Sequence, residues 1–483
     1  MDMNSVSARG LRQWLREHRT IELRNGGESP DAVITMDCQR FADDVSEDIR
    51  ANTDSVPDPI RRAIAELVLD FHSSASTLTT GVETAVARLK AGAPILHIFH
   101  QANTLASLNI SGLSILADHL AELIETKVSQ RPVVLFLLLD YDSADDQRFR
   151  NPSVPDWTRA SAAQLITAVP SRFRHQIAAS VPTPSDEVVA SWRKAIEDSA
   201  RFWSCLIPMS ASYAERQARY SKYSSETPIG ERLSAAYRDA TSLCLANSWL
   251  TSYIINSTWN LDTLILPASR LLQIGYPRML ELLESRTSWF SSATSGLDTY
   301  PREVGAFLPP FNDYGKGLVW RVCDRCFARA RSTMLSSPED MTIQWQCAHC
   351  GHGGHETIKE FKSFDVTGTS IPRLIPAVTI DEILDSAAYG LRYGIQYAGG
   401  LSHLIRSRSL NRAVGLQRSY DLAWDPINFL FRDEILEFMR RHYKQPDIAA
   451  ATEVANDLSR GRFAGPFYAC AWSPSELRAI MLC

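Results

Sequence analysis

The chain of 483 residues is 45% hydrophobic and 22% charged, which provides for a large core and excludes a disordered or low-complexity chain. Fifty Lys plus Arg against 55 Asp plus Glu give a formal net charge of -5, so no global positive field exists to hold nucleic acid. The longest apolar run, Val133–Leu139, falls far short of the roughly 20 residues of a membrane span, and the amino terminus lacks an apolar signal core; together these predict a cytoplasmic protein with no membrane partner.

Residues 1–85 read as a mixed N-terminal unit with one marked helix: Asp58 as its cap, Pro59 at the first helical position, and Ile60, Ile64, Leu67, Val68 and Phe71 along one face. Within 86–180, residues 94–99 read as a buried strand, 113–126 as an amphipathic helix and 132–139 as a second buried strand. Such a βαβ unit is parallel with a right-handed crossover. It brings both strand carboxyl ends to one sheet edge, where open α/β sheets bind ligands.

Two polar stretches fall at that edge. After the first strand come His100, Gln101, Asn103, Ser107, Asn109, Ser111 and Gly112, a density of hydrogen-bonding groups suited to a polar ligand. Strand alternation sets His97 and His100 on opposite faces, which argues against a shared metal and makes His97 a core histidine. After the second strand come Asp140, Asp142, Asp145 and Asp146. Because Asp140 abuts the apolar run, at least one carboxylate is expected to be partly desolvated and equipped to bind an amine or act as a base; the plainer alternative is a cap for the next helix.

Residues 181–300 read as a helical connecting region. Ser185 precedes Val188, Val189, Trp192, Ile196 and Trp203 at helical spacing, Thr227 and Pro228 open a second helix, and a shorter one follows Pro277. A turn-rich stretch, 291–312, leads to residues 316–360, where Cys323, Cys326, Cys347 and Cys350 form a C-x2-C-x20-C-x2-C array flanked by β-prone sequence. Four thiolates at that spacing close a tetrahedral shell with no open position for water, which predicts a zinc ribbon with a structural Zn2+. His349, His352 and His355 stay outside the completed shell. Arg325, Arg329 and Arg331 read as a solvated basic flank rather than a nucleic-acid contact.

In the remainder, 361–483, Thr379 and Glu382 form a capping-box pattern for a helix through Tyr389, and Asp425 with Pro426 opens another. Between them Tyr397, Gly399, Gly400, Ser402 and His403 form a junction whose glycines let backbone N–H groups approach a phosphate or carboxylate; a helix stop is the competing reading. The sequence contains no G-x-x-x-x-G-K-[ST], G-x-G-x-x-G, H-E-x-x-H or G-x-S-x-G motif, so P-loop, zincin and α/β-hydrolase chemistry lose their footing.

Three stretches carry a resemblance. His100-Gln101-Ala-Asn103 through Ser111-Gly112 is similar to the Gly-Gln-Gln loop of the bacillithiol-biosynthesis cysteine-adding ligase family, with His100 in place of the first glycine. Leu139-Asp140-Tyr-Asp142 resembles that family's Glu-Asp-His-Asp segment, and Ile371 to Tyr389 with Tyr397-Ala-Gly399-Gly400 resembles its Arg-Pro to Gly-Gly run. The resemblance implies a Rossmann-like α/β parallel sheet related to class I tRNA synthetases, with a helical connecting region, here carrying an inserted zinc ribbon. It also implies an amide-forming ligase that joins an amino acid, cysteine in that family, to an amine acceptor.

Amide formation in water is uphill, so the expected cofactors are ATP with Mg2+ beside the structural zinc. In this reading His100, Gln101, Asn103, Asn109 and Ser111 position the nucleotide or carboxylate. Asp140 or Asp142 binds the amine or takes its proton, and Tyr397, Gly399, Gly400, Ser402 and His403 complete the pocket. An alternative is a class I synthetase-like enzyme acting on tRNA or a carrier protein, since His97-Ile-Phe-His100 has that signature's histidine spacing and Arg406-Ser407-Arg408-Ser409 is similar to its basic loop. A noncatalytic zinc-ribbon scaffold is the third reading.

Overall fold

The computed structural model describes residues 20–25, 28–51, 56–155, 163–203, 228–286, 289, 316–336, 341–361, 366–367, 371–397, 414, 419–424, 464–466, 469 and 473–482. The chain opens with strands β1 (Thr20–Asn25) and β2 (Glu28–Thr35) and helices α1 (Cys38–Ala51), α2 (Asp58–Ser74) and α3 (Thr80–Lys90). Then come β3 (Ile95–Gln101), α4 (Leu108–Val128), β4 (Val133–Leu139), the short α5 (Gln147–Arg150) and a hairpin of β5 (Ser153–Pro155) and β6 (Ala163–Leu165). Helices α6 (Asp186–Trp203), α7 (Pro228–Asp239) and α8 (Leu243–Ser252) precede β7 (Leu264–Pro267) and α9 (Ala268–Glu284).

An antiparallel module follows, made of β8 (Lys316–Val322), β9 (Arg329–Ser336), β10 (Met341–Gln346) and β11 (Gly353–Thr357), with a later strand, Leu374–Pro376, pairing on β8 as the fifth. Two-residue strands β12 (Val366–Thr367) and β13 (Ile371–Pro372) lead to β14 (Leu374–Pro376), α10 (Val378–Ala387), β15 (Tyr393–Tyr397), β16 (Ser419–Trp424) and the terminal α11 (Pro474–Leu482). Among the described residues no helix is long and apolar enough to cross a membrane.

The main sheet runs β1-β2-β16-β15-β3-β4-β7, with β1 antiparallel at the edge and the other six strands parallel. β4 is buried at all seven positions, which is why its sequence is a continuous apolar run rather than an alternating one. From β3 the chain steps outward through β4 to β7; after the antiparallel module it returns on the other side of β3 as β15 and then β16. That is the doubly wound Rossmann order, and the direction of winding reverses between β3 and β15. The fold is therefore α/β with a Rossmann-like parallel sheet and a separate antiparallel element carrying the cysteines.

Several local expectations shift. Helix α4 begins at Leu108, five residues before its apolar stripe was expected, and α2 takes Pro57 rather than Asp58 as its cap residue. No new helix starts after Pro277: the proline lies inside α9, where Leu271, Leu272, Met279, Leu280 and Leu283 are buried on both sides of it. Burial of that stripe outweighs the roughly 3 kcal/mol cost of an interior proline. The region read as helical contributes a sheet strand, β7, and the N-terminal unit contributes β1 and β2. In β1, Ile21 and Leu23 carry the alternation that marks a half-buried strand, a signal that was there to read.

Candidate functional site

The cysteines come together as the spacing predicts. Their four sulfurs lie within 4.8 Å of one another, with Cys323 to Cys350, Cys326 to Cys347 and Cys326 to Cys350 each at 3.5 Å. Tetrahedral zinc thiolate bonds require sulfurs about 3.8 Å apart, so the arrangement fits a four-coordinate Zn2+. The His352 backbone amide beside Cys350 holds that thiol below its ordinary range, whereas burial raises those of Cys323 and Cys326. The histidines stand aside: His349 stacks on His175 at 3.5 Å, and His352 meets the Trp345 ring edge to face at 5.1 Å.

A buried guanidinium braces the first knuckle. Arg321, 0% exposed, reaches both carboxylate oxygens of Glu356 at 2.7 and 3.0 Å and both of Asp324 at 3.1 and 2.7 Å, while its cation lies 4.8 Å from the Trp345 ring centroid. Asp324 sits between Cys323 and Cys326, so this network holds the knuckle's backbone in place.

The polar loop after β3 lies at the point where the winding reverses. Leu105 and Ala106 both adopt left-handed backbone, φ 59° and 45°, a strained choice for residues with side chains. Neighbours hold it there: the Tyr237 hydroxyl accepts from Leu105 N at 3.3 Å and donates to Asn247 Oδ1 at 2.7 Å, and Asn247 Nδ2 donates to Ala102 O at 3.0 Å. From the far end of the chain, Gly465 N donates to Leu105 O at 2.8 Å, and a Cβ at Gly465 would collide with Ala106 O. Asn247 and Gly465 carry no motif, and nothing in the sequence singles them out.

Of the predicted loop residues, Asn103 is buried; its Nδ2 donates to Ser107 Oγ at 3.0 Å and its Oδ1 has no partner among the described residues. Ser107 caps α4 by position but not through its side chain. Ser111 is fully buried, with its hydroxyl directed at Ala106 O, so it supports the loop from within. His100 is buried at the end of β3, its Nδ1 3.4 Å from Gln101 O.

The two carboxylates after β4 are both engaged. Asp140 Oδ1 accepts from Ser269 N at 2.9 Å and Oδ2 accepts from the Ser269 hydroxyl, fastening β4 to the first turn of α9. Burial pushes the Asp140 carboxyl above its ordinary range, opposed by these hydrogen bonds. Asp142 Oδ2 accepts from Gln101 Nε2 at 2.9 Å, while its Oδ1 accepts from Ser143 N and from Arg329 Nη1, each at 2.7 Å. Arg329, expected on a solvated face, is instead a docking residue of the cysteine module, with its side chain 26% exposed.

His97 lies in the sheet interior, as a core histidine should. Its Nε2 is 3.6 Å from Asp385 Oδ2, and it shares a row with Gly394 and the fully buried Asp421. A Cβ at Gly394 would collide with Asp421 Oδ1 and lie 3.3 Å from the imidazole, so only glycine leaves room for this row.

The backbone of Tyr397 ends β15, but its side chain and that of Asn109 lie outside the described residues, as do Gly399, Gly400, Ser402, His403 and the 406–409 stretch. The helix expected after Asp425 and the turns over 291–312 lie outside them too. No protein-family model matches the chain, and no curated protein is similar to it.

Proposed function

We propose that the protein is an ATP-dependent amide-forming ligase that works on small molecules in the crevice between the carboxyl ends of β3 and β15. One observation carries this reading: the Rossmann strand order reverses between those two strands, and open α/β sheets bind ligands at such a reversal. The strained polar loop 102–107 and the first turn of α4 stand at that point, and a helix amino terminus favours an anionic group. The similarity of the three quoted stretches to the cysteine-adding ligase family supplies the reaction class: an amino-acid carboxyl is activated and captured by an amine.

In this reading the α4 amides and Asn103 orient the activated carboxyl compound, and His100 takes the proton that the attacking amine must lose. Tyr397, Gly399, Gly400, Ser402 and His403 are assigned to the same pocket from the resemblance alone, as the stretch that follows β15 in the sequence. Asp140 and Asp142 keep the edge in shape through Ser269, Gln101 and Arg329. Zinc held by the four cysteines is structural, and Mg2+ accompanies ATP as part of the substrate. The synthetase-like alternative draws less support, because His97 sits in mid-strand beside Asp385 and not at the sheet edge.

The test is an amino-acid panel with ATP, Mg2+ and hydroxylamine as the amine. Hydroxamate should form with one or a few amino acids, and His100→Ala should abolish it in a folded, zinc-loaded protein. A folded protein inert across the whole panel would overturn the ligase reading.

A further inference from the structure

We infer that Arg329 is a positioning residue through which the four-cysteine module holds the carboxyl end of β4 against that of β3. Both knuckles grip one short segment of the α/β core. From the first, Phe327 O accepts from Ile177 N at 2.9 Å, and Ala328 forms an antiparallel bridge with Gln176. From the second, His349 lies flat on His175, ring planes 8° apart.

That segment is itself laced to the loop after β4. Ala144 N donates to Gln176 O at 2.9 Å, Ala178 N to Asp142 O at 2.8 Å and Ala179 N to Asp140 O at 2.8 Å. Arg329 closes the circuit directly. Its guanidinium holds Asp142, whose other oxygen holds Gln101 at the end of β3. The pair is well shielded, with side chains 26% and 15% exposed, so it is worth more than an ordinary surface ion pair.

The metal enters through backbone geometry. Phe327, two residues before Arg329, has φ 57°, a left-handed conformation that a phenylalanine keeps only when its surroundings impose it. The knuckle imposes it: Phe327 N donates to Cys323 O at 2.8 Å, and Cys323 N donates to Ala328 O at 2.9 Å. A bound ion fixes Cys323 and Cys326 and hence this turn. Loss of the ion lets Phe327 relax and carries the Ile177 contact and Arg329 away with it. The module is thus a metal-dependent buttress of the sheet edge, beyond being an independently stapled appendage.

Hydrogen exchange on the full chain, zinc-loaded and after chelation, tests this without any substrate. Chelation should speed exchange over 140–146 and 175–181 as well as in the module, while β3 and α4 stay protected. In the zinc-loaded protein Arg329→Gln should speed exchange over 140–146 on the order of tenfold, the worth of one charge-assisted hydrogen bond, with zinc content unchanged; Arg329→Lys should restore most of the protection. Unchanged exchange over 140–146 in zinc-loaded Arg329→Gln would overturn the proposal, as would chelation that opens the module alone. Should the metal-free chain unfold outright, the zinc-loaded variants decide. The inference concerns the edge's architecture and goes beyond the ligase reading: an inert crevice would leave it intact, and its failure would leave the ligase assay unaffected.

Discussion

The imidazole Nε2 of His72 accepts the backbone N–H of Ile265 at 3.1 Å, tying α2 to the edge strand β7. A nitrogen that accepts carries no proton, so Nδ1 carries it and donates to Thr77 Oγ1 at 2.9 Å. Burial pushes this imidazole down from 6.5 to about 4. As pH falls, the unfolded chain therefore takes up the proton before the native state does. His72 contributes its full stability above pH 6.5 and loses it between 6.5 and about 4. The loss amounts to about 3 kcal/mol. Urea denaturation across that window measures it, and His72→Gln should flatten the slope while lowering stability at neutral pH.

Asp140 has the opposite sign. Its carboxyl is raised above the ordinary 3.8 by burial, so the native state keeps the proton longer than the unfolded chain as pH rises. Stability is lost as pH climbs from 3.8 through the raised value. Asp140→Asn has nothing to ionise and still accepts from Ser269 N, so its stability relative to the unchanged protein should improve on going from acid toward neutral pH. Parallel denaturation curves for the two proteins across the carboxylate range would show this expectation to be mistaken.

Elemental analysis should find one zinc per chain. Cys347→Ser should lower the melting temperature by on the order of 10 °C, because binding energy for a structural ion is folding energy. Calorimetry with and without chelator checks this, and full stability in a metal-free preparation would contradict it.

The parts legible in advance share one property, which is that their causes are local. β4 reads directly because seven consecutive apolar residues cannot face water, and the cysteine array reads because two C-x2-C knuckles carry the geometry of a metal shell in their spacing. The βαβ unit follows from order and handedness alone. β7 escaped because four residues, Leu264 to Pro267, are too few to distinguish from the helices on either side. The fate of the acidic residues escaped for another reason: Asp140 and Asp142 look alike in sequence, and each is defined by a partner far along the chain.

Amino-acid order by itself marked β3, α4, β4 and the four-cysteine cluster, since hydrophobic period and knuckle spacing act over a few residues. Tertiary structure alone decided which strands neighbour one another, and so where the winding reverses. It alone put Ser269 on Asp140 across 129 positions and Arg329 on Asp142 across 187. Contacts at that separation are selected by how whole layers pack, and their energy exists only once the core has assembled.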